Sequence, residues 1–311
     1  MTEIDVARHS NLIDPHLHVW GWEIPVYLFL GGMAAGTMLL GSLLSTRGGE
    51  RSRAARWLAF APAALLSIGM AALFLDLAHK LHVWRFYLAF RWTSPMSWGA
   101  WILVVVYPVS LLVALAGLDD AQAVRVEAFL GRFGLAALAR EARAFAAVRL
   151  RMLNGLNMAV GAALGVYTGV LLSTLGARAL WNSALLGPLF LVSGLSTGAA
   201  LMMLFPISSD ERHALARWDV AAIGLELALV ALWMVGLATS SEAAREAVGL
   251  VLGGSFTAQF WTLVVAAGLV VPALLEVLEG RLRLRPTAVA PALVIIGGFA
   301  LRWILVAAGQ A

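Results

Sequence analysis

The sequence predicts an all-α integral membrane protein with eight transmembrane helices and both termini on the outer side. Two observations carry the class. Of 311 residues, 61% are hydrophobic and only 13% charged, with a mean hydropathy of +0.86, more apolar surface than a soluble domain of this length needs to bury. The apolar residues also gather into eight stretches, each long enough, at about 20 residues, to cross the hydrocarbon core. A third observation, the placement of Lys and Arg, sets the orientation.

In order, the predicted spans are Ile24–Leu44, Trp57–Leu75, Trp98–Leu118, Leu156–Leu175, Ala184–Phe205, Val220–Ala238, Phe256–Leu275 and Thr287–Leu305. Prolines inside them (Pro25, Pro62, Pro108, Pro188, Pro272, Pro291) fall mostly in first or last turns, and membrane helices tolerate them. Glycine pairs at helical spacing, Gly32–Gly36 and Gly194–Gly198, allow close helix approach. The loops after spans 1, 3, 5 and 7 hold 15 of the 22 Lys and Arg; the other loops and the ends hold 6, and Arg302 lies within span 8. The positive-inside rule therefore puts both termini outside, in agreement with the even helix count.

The chain divides into an outer N-terminal segment (1–23), spans 1–3 (24–118), an inner loop (119–151) and spans 4–8 (152–311). Alternating Arg and Glu with Leu, Phe and Val in the inner loop predict one or two amphipathic helices on the membrane surface, or else a solvated connector. The polar N-terminus lacks a basic start and a cleavable apolar run, so span 1 is expected to act as the targeting element. A parallel duplication is also expected. GGMAAGTMLL (31–40) resembles SGLSTGAALM (193–202), 162 residues later, and the same offset carries spans 2 and 3 onto spans 6 and 7.

The absence of cysteine excludes disulfides, thiolate zinc and cysteine-ligated iron–sulfur clusters within this chain. The net charge of +4 resides on loops and reflects topology, not nucleic-acid binding. Of the six histidines, His9, His16, His18, His79 and His82 lie on the outer side and His213 on the inner. None lies mid-membrane, where a pair could clamp a haem between helices. They are solvated, or together they handle protons or meet an extrinsic partner.

The segment FRWTSPMSWGAW (90–101) is the most structured of the outer loops. Trp92, Trp98 and Trp101 suit the membrane–water boundary, Pro95 breaks the backbone, and Thr93, Ser94 and Ser97 can cap the following helix. Acids within or bordering hydrocarbon mark polar pathways or ion pairs. Asp76 and Glu23 sit near the outer histidines and Trp22, placed for proton exchange. Glu226 and Arg302 are expected to pair, and Glu276 ends span 7. Tyr27 and Tyr167 lie in the outer halves of spans 1 and 4, and each buried phenol needs a partner, a backbone carbonyl or a ligand.

WGWEIPVYLFLGGMAAGTMLL, DLAHKLHVWRFYLAFRWTSPMSWGAW, VYTGVLLSTLGARALWNSALLGPLFLVSGLSTGAALM and GGFALRWILVAAG together resemble the NrfD/PsrC family, over nearly the whole chain. This family comprises the membrane subunits of polysulfide reductase, cytochrome nitrite reductase and related molybdopterin oxidoreductases. The resemblance implies two four-helix bundles without haem, in a bacterial inner membrane. It implies a menaquinone or ubiquinone held at the periplasmic face beneath a ferredoxin-like 4Fe-4S subunit, which relays electrons to or from a molybdopterin-dependent catalytic subunit. By resemblance Tyr167 is the quinone-contacting tyrosine of span 4, and Tyr27 stands where polysulfide reductase has a histidine. Trp22 and His18 would line the ring pocket, and Asp76 with Glu23 would move protons. Arg91, Thr93, Ser94, Pro95, Met96, Ser97 and Trp98 would dock the iron–sulfur partner.

Three other readings stay open. A secondary transporter could use Glu226, Glu276 and Arg302 mid-membrane; a purely structural anchor would leave the quinone site to a partner; within the family, a subunit of alternative complex III or of a hydrogenase is the alternative.

Overall fold

The computed structural model describes residues 20–47, 51–77, 79–88, 90–282 and 285–311. His9, His16 and His18, with most of the N-terminal segment, lie outside them. Among the described residues there is no strand, and eight helices are long and apolar enough to cross a membrane. They are α1 (Glu23–Thr46), α2 (Arg53–Asp76), α3 (Pro95–Ala116), α4 (Leu150–Ser173), α5 (Leu186–Met203), α6 (Ser209–Ala238), α7 (Thr257–Leu282) and α8 (Val289–Ala308). The chain is a multi-pass membrane protein.

Most helix ends fall within a few residues of the expected ones. The largest departure is α6, which begins at Ser209 instead of Val220. Its N-terminus is fixed by a capping box in which the Glu211 N–H donates to Ser208 Oγ and the Ser208 N–H to Glu211 Oε2 (3.3 and 2.9 Å). That reciprocal pair satisfies donors a new helix leaves open. The helix therefore starts among charged residues that depress hydropathy. Helix α2 contains a turn at Ala59–Phe60, after which Pro62 opens the second segment. In α7, residues Phe260–Val270 form wide π turns.

The inner loop holds two helices, Asp120–Gly131 and Ala136–Val148. Ala146 of the second packs with Val113 of α3 and Leu153 of α4. Arginines lace this end together. Arg56 meets Asp119 at 2.6 Å and Arg143 meets Asp120 at 2.9 Å, while Gln122 donates to the Arg53 carbonyl. We call this the arginine-rich end. A helix not expected from the sequence, Glu242–Leu252, joins α6 to α7 and buries Ala244, Val248 and Val251.

Helices α1 and α5 cross at the centre. Each packs on the other and on α4 and α8, with α2 against α1, α6 against α5, α3 against α4 and α7 against α8. The crossing is built from glycines. A Cβ on Gly36 would overlap the Gly194 carbonyl, one on Gly194 the Gly32 carbonyl, and one on Gly198 the backbone of Gly36 and Thr37. Without an apolar driving force between helices in lipid, such backbone-to-backbone approach is what holds them. Gly32 and Gly194, like Gly36 and Gly198, are 162 residues apart. The two copies of the motif thus pack on each other in parallel register, as a duplicated pair related by an axis along the helices would.

The first described residues and the last meet at the opposite end. Trp20 and Gln310 exchange two hydrogen bonds (2.9 and 3.1 Å), and Trp20 stacks on Trp181, whose indole donates to Leu305 O. Gly36→Val should lower stability by an amount at the upper end of about 1–3 kcal/mol. Gly41→Ala, where an added Cβ meets nothing within 4 Å, should leave stability unchanged or slightly raised. Thermal unfolding of the two purified variants in one detergent checks both.

Candidate functional site

At the end opposite the arginines, α1 begins, α2 finishes, α3 begins and α4 finishes. The chain has four tyrosines, and the fold brings them all here. Tyr27, on the second turn of α1, lies against α2, where a Cβ on Gly69 would come within 3.7 Å of its ring. Tyr167 of α4 fills the space left by Gly99 of α3, whose Cβ would overlap the phenol tip. Tyr27 is close enough to Tyr167 and Tyr87 to interact electrostatically with both. Tyr87 in turn neighbours Tyr107, which shares a 3.1 Å hydrogen bond with Ser67. Burial, and then Tyr107, push the Tyr87 hydroxyl above its ordinary range.

Tyr27 and Tyr167 are only 3% and 6% exposed, yet no described residue hydrogen-bonds either hydroxyl. Two buried phenols without partners can each offer a hydrogen bond to an acceptor such as a carbonyl. Beside them, Asp76 at the end of α2 and Glu23 at the start of α1 are half-buried and close enough to repel each other. Trp22, at the mouth of α1, is half exposed.

The segment leading into α3 is a surface feature. Ser94 occupies the N-cap position without a side-chain cap, a correction to the expected capping. Ser97 Oγ instead accepts from the Arg91 N–H (2.9 Å), and the Trp98 indole donates to the Trp92 carbonyl (2.9 Å). Arg91, Trp92, Thr93, Met96 and Trp98 are exposed, Ser94 and Pro95 half-buried, and Ser97 buried. His79 and His82 are exposed nearby, rings edge to face at 6.2 Å.

A second polar group lies in the other half of the molecule. The expected direct pair between Glu226 and Arg302 is replaced by a bridge. Arg302, fully buried, donates to Ser193 Oγ, Gly298 O and Phe190 O, and the Ser193 hydroxyl is also within reach of Glu226. A serine on α5 thus stands between the two. Asp219, which the hydropathy boundary left in a loop, is fully buried on α6 and accepts from Ser196 Oγ at 2.5 Å. The capping box at Ser208 was the signal that would have placed it inside the helix.

Residues 6–311 match the family described as polysulphide reductase, NrfD. The chain belongs to this family. It is similar to Protein NrfD of Escherichia coli (strain K12), 30% identical over 306 residues, covering 94% of this chain and 95% of that protein. It is similar to the C subunit of the polysulfide reductase of Wolinella succinogenes, 30% identical over 311 residues and 94% of each protein. The NrfD homolog of Haemophilus influenzae is 26% identical over 94% of each. As a member of the NrfD family, the chain is a multi-pass membrane protein.

Arg302→Leu strips the buried cation from this NrfD-family core and leaves Glu226 without its counter-charge. The expected loss is about 3–5 kcal/mol, recovered in large part by Glu226→Leu in the same chain. Thermal unfolding of the single and double variants checks this.

Proposed function

We propose that this chain is the quinone-reactive membrane anchor of a multi-subunit oxidoreductase. Two four-helix bundles, α1–α4 and α5–α8, would carry both termini to the periplasmic face of a bacterial inner membrane. The anchor would exchange electrons between menaquinone or ubiquinone and a ferredoxin-like 4Fe-4S subunit of a molybdopterin-dependent complex. The observation that carries the reading is the convergence of all four tyrosines beside Asp76 and Glu23, at the end where an aromatic loop stands exposed.

The residues fit such a group. Tyr27 and Tyr167 present hydroxyls that no described residue occupies, on neighbouring helices, as two carbonyl acceptors would require. A quinone, when bound, supplies the coupling of electron transfer to proton uptake or release. Tyr27 and Tyr167 hold and orient the ring oxygens. Asp76 at the end of α2 and Glu23 at the start of α1 pass protons to and from water. Trp22 and His18 would line the entrance.

The exposed apolar side chains Trp92, Met96 and Trp98, at 76%, 53% and 45%, support a docking role for residues 91–98, aromatic and Met side chains being enriched at interfaces. A partner cluster is needed because the chain has no cysteine to hold one. The parallel register of the glycine motifs argues against the inverted repeats typical of many secondary transporters.

Tyr167→Phe should lower quinol-linked turnover of the assembled complex by about tenfold, the worth of one hydrogen bond of roughly 1.4 kcal/mol, while co-purification of partners stays unchanged. An unaltered rate rejects the assignment of Tyr167. A mild-detergent pull-down with mass spectrometry of proteins and lipids tests the reading as a whole. Quinone and an iron–sulfur subunit should co-purify, and a chain recovered alone, without quinone, would reject it.

A further inference from the structure

The arginine-rich end of the second half contains a cavity of about 60 Å³, lined among others by Arg212, His213, Glu276, Glu279 and Thr287. That is room for ordered water. Glu279 at its edge is engaged, accepting from the Thr287 N–H and hydroxyl (3.0 and 2.9 Å). His213 is bonded through Nδ1 to Ser209 O, and Arg212 to Phe205 O.

Glu276 is different. It is only 7% exposed, and neither carboxyl oxygen has a donor among the described residues. Asp219 of α6 is close enough for the two carboxyls to interact. Asp219 has Ser196 on Oδ1 and no donor on Oδ2. No ion pair involves either acid, and no metal-holding group occurs among the described residues. Arg302, the buried cation, is committed to Ser193, Gly298 and Phe190.

Two adjacent carboxylates buried without a cation would be prohibitively costly, and as acceptors only they could not bond each other. One proton between them halves the buried charge and lets one carboxyl donate to the other. From the pair the polar side chains run inward. Asp219 holds Ser196, and Ser193 lies one helical turn further along the same face of α5, between Glu226 and Arg302. We propose that Glu276 and Asp219 form a proton-binding site loaded from the arginine-rich face through this cavity, the mouth of a polar path that ends at Glu226 and Arg302.

The site lies at the end of the molecule away from the tyrosines, so its existence does not depend on the quinone reading. The charged and titratable groups facing it are His213, Arg212 and Glu226 on α6, Glu279 on α7 and Arg302 on α8; α5 contributes only the hydroxyls of Ser193 and Ser196.

Carbodiimides react with protonated carboxyls, and the full-length purified chain can be labelled and mapped by peptide mass spectrometry. At neutral pH, dicyclohexylcarbodiimide should modify Glu276 or Asp219. The yield should fall about tenfold per pH unit once the pair's titration is passed, and sodium should give no protection. Glu276→Gln should abolish labelling of its own peptide. A water-soluble carbodiimide should reach the pair in the wild type and about tenfold less in Gly280→Trp. Gly280 lines the cavity and an added Cβ there meets nothing within 4 Å, so the ring can enter the opening; the membrane-soluble reagent should react with this variant undiminished. Absence of label near neutral pH overturns the proposal. So does protection by sodium, which would mark a metal-cation site, or water-soluble labelling that Gly280→Trp leaves unchanged. The wild-type pH profile and sodium test stand even where a variant does not fold.

Discussion

The rest of the molecule depends on the contact of α1 and α5 through glycine. Gly32, Gly36, Gly194 and Gly198 bring two backbones together, and the six other membrane helices are arranged around that pair. The same absence of side chains makes room for charge. A Cβ on Gly32 would lie 3.1 Å from an Arg302 guanidinium nitrogen, and one on Gly298 would overlap Thr197. The crossing is thus both a close backbone contact and the wall against which the buried Arg302 rests. In lipid, where apolar burial between helices gains little, such close approach and the hydrogen bonds it permits replace the hydrophobic core of a soluble protein.

The offset that pairs the glycines also shows how the halves have diverged. At 162 residues' distance, Tyr27 corresponds to Leu189, Ser193 to Gly31, Ser196 to Ala34, Asp219 to Trp57, Glu226 to Ala64 and Glu276 to Ala114. The scaffold positions are kept and the chemistry is not. The first half carries its polar residues toward the opening where the tyrosines meet. The second half carries its acids toward the arginine-rich end. A duplicated frame with one site per half, at opposite ends, follows from substitutions that leave the small-residue contacts alone.

Much of this was legible in the sequence, because hydropathy and Lys/Arg placement act along the chain and need no tertiary knowledge. Eight spans, the amphipathic inner loop and the glycine motif all belong to that class. What escaped depends on neighbours from other helices. Asp219 was lost because charges at the start of α6 hide a helix that its capping box begins. Ser193 reads as a small packing residue until Arg302 and Glu226 arrive on either side of it. Tyr27 and Tyr167 stood out by rarity, but their meeting with Tyr87 and Tyr107 is a product of the fold. Ser94 illustrates the reverse error, a good capping residue at the right position whose hydroxyl is not used.

The crossing also separates the two polar groups. Arg302 reaches Gly32, and Tyr27 lies five residues earlier on α1, about 7.5 Å along the helix axis. Thr168, next to Tyr167, lies across from Gly31 on the same stretch. On this stretch Gly32 approaches Gly194, and Phe190 packs against the Arg302 guanidinium. Glu226 and Arg302 are both buried, so a change of charge at either acts over this distance with little screening. A tight glycine crossing therefore stands between the two ends while leaving each within the other's field. A larger residue at Gly32 would push the guanidinium away and weaken that influence without opening a path.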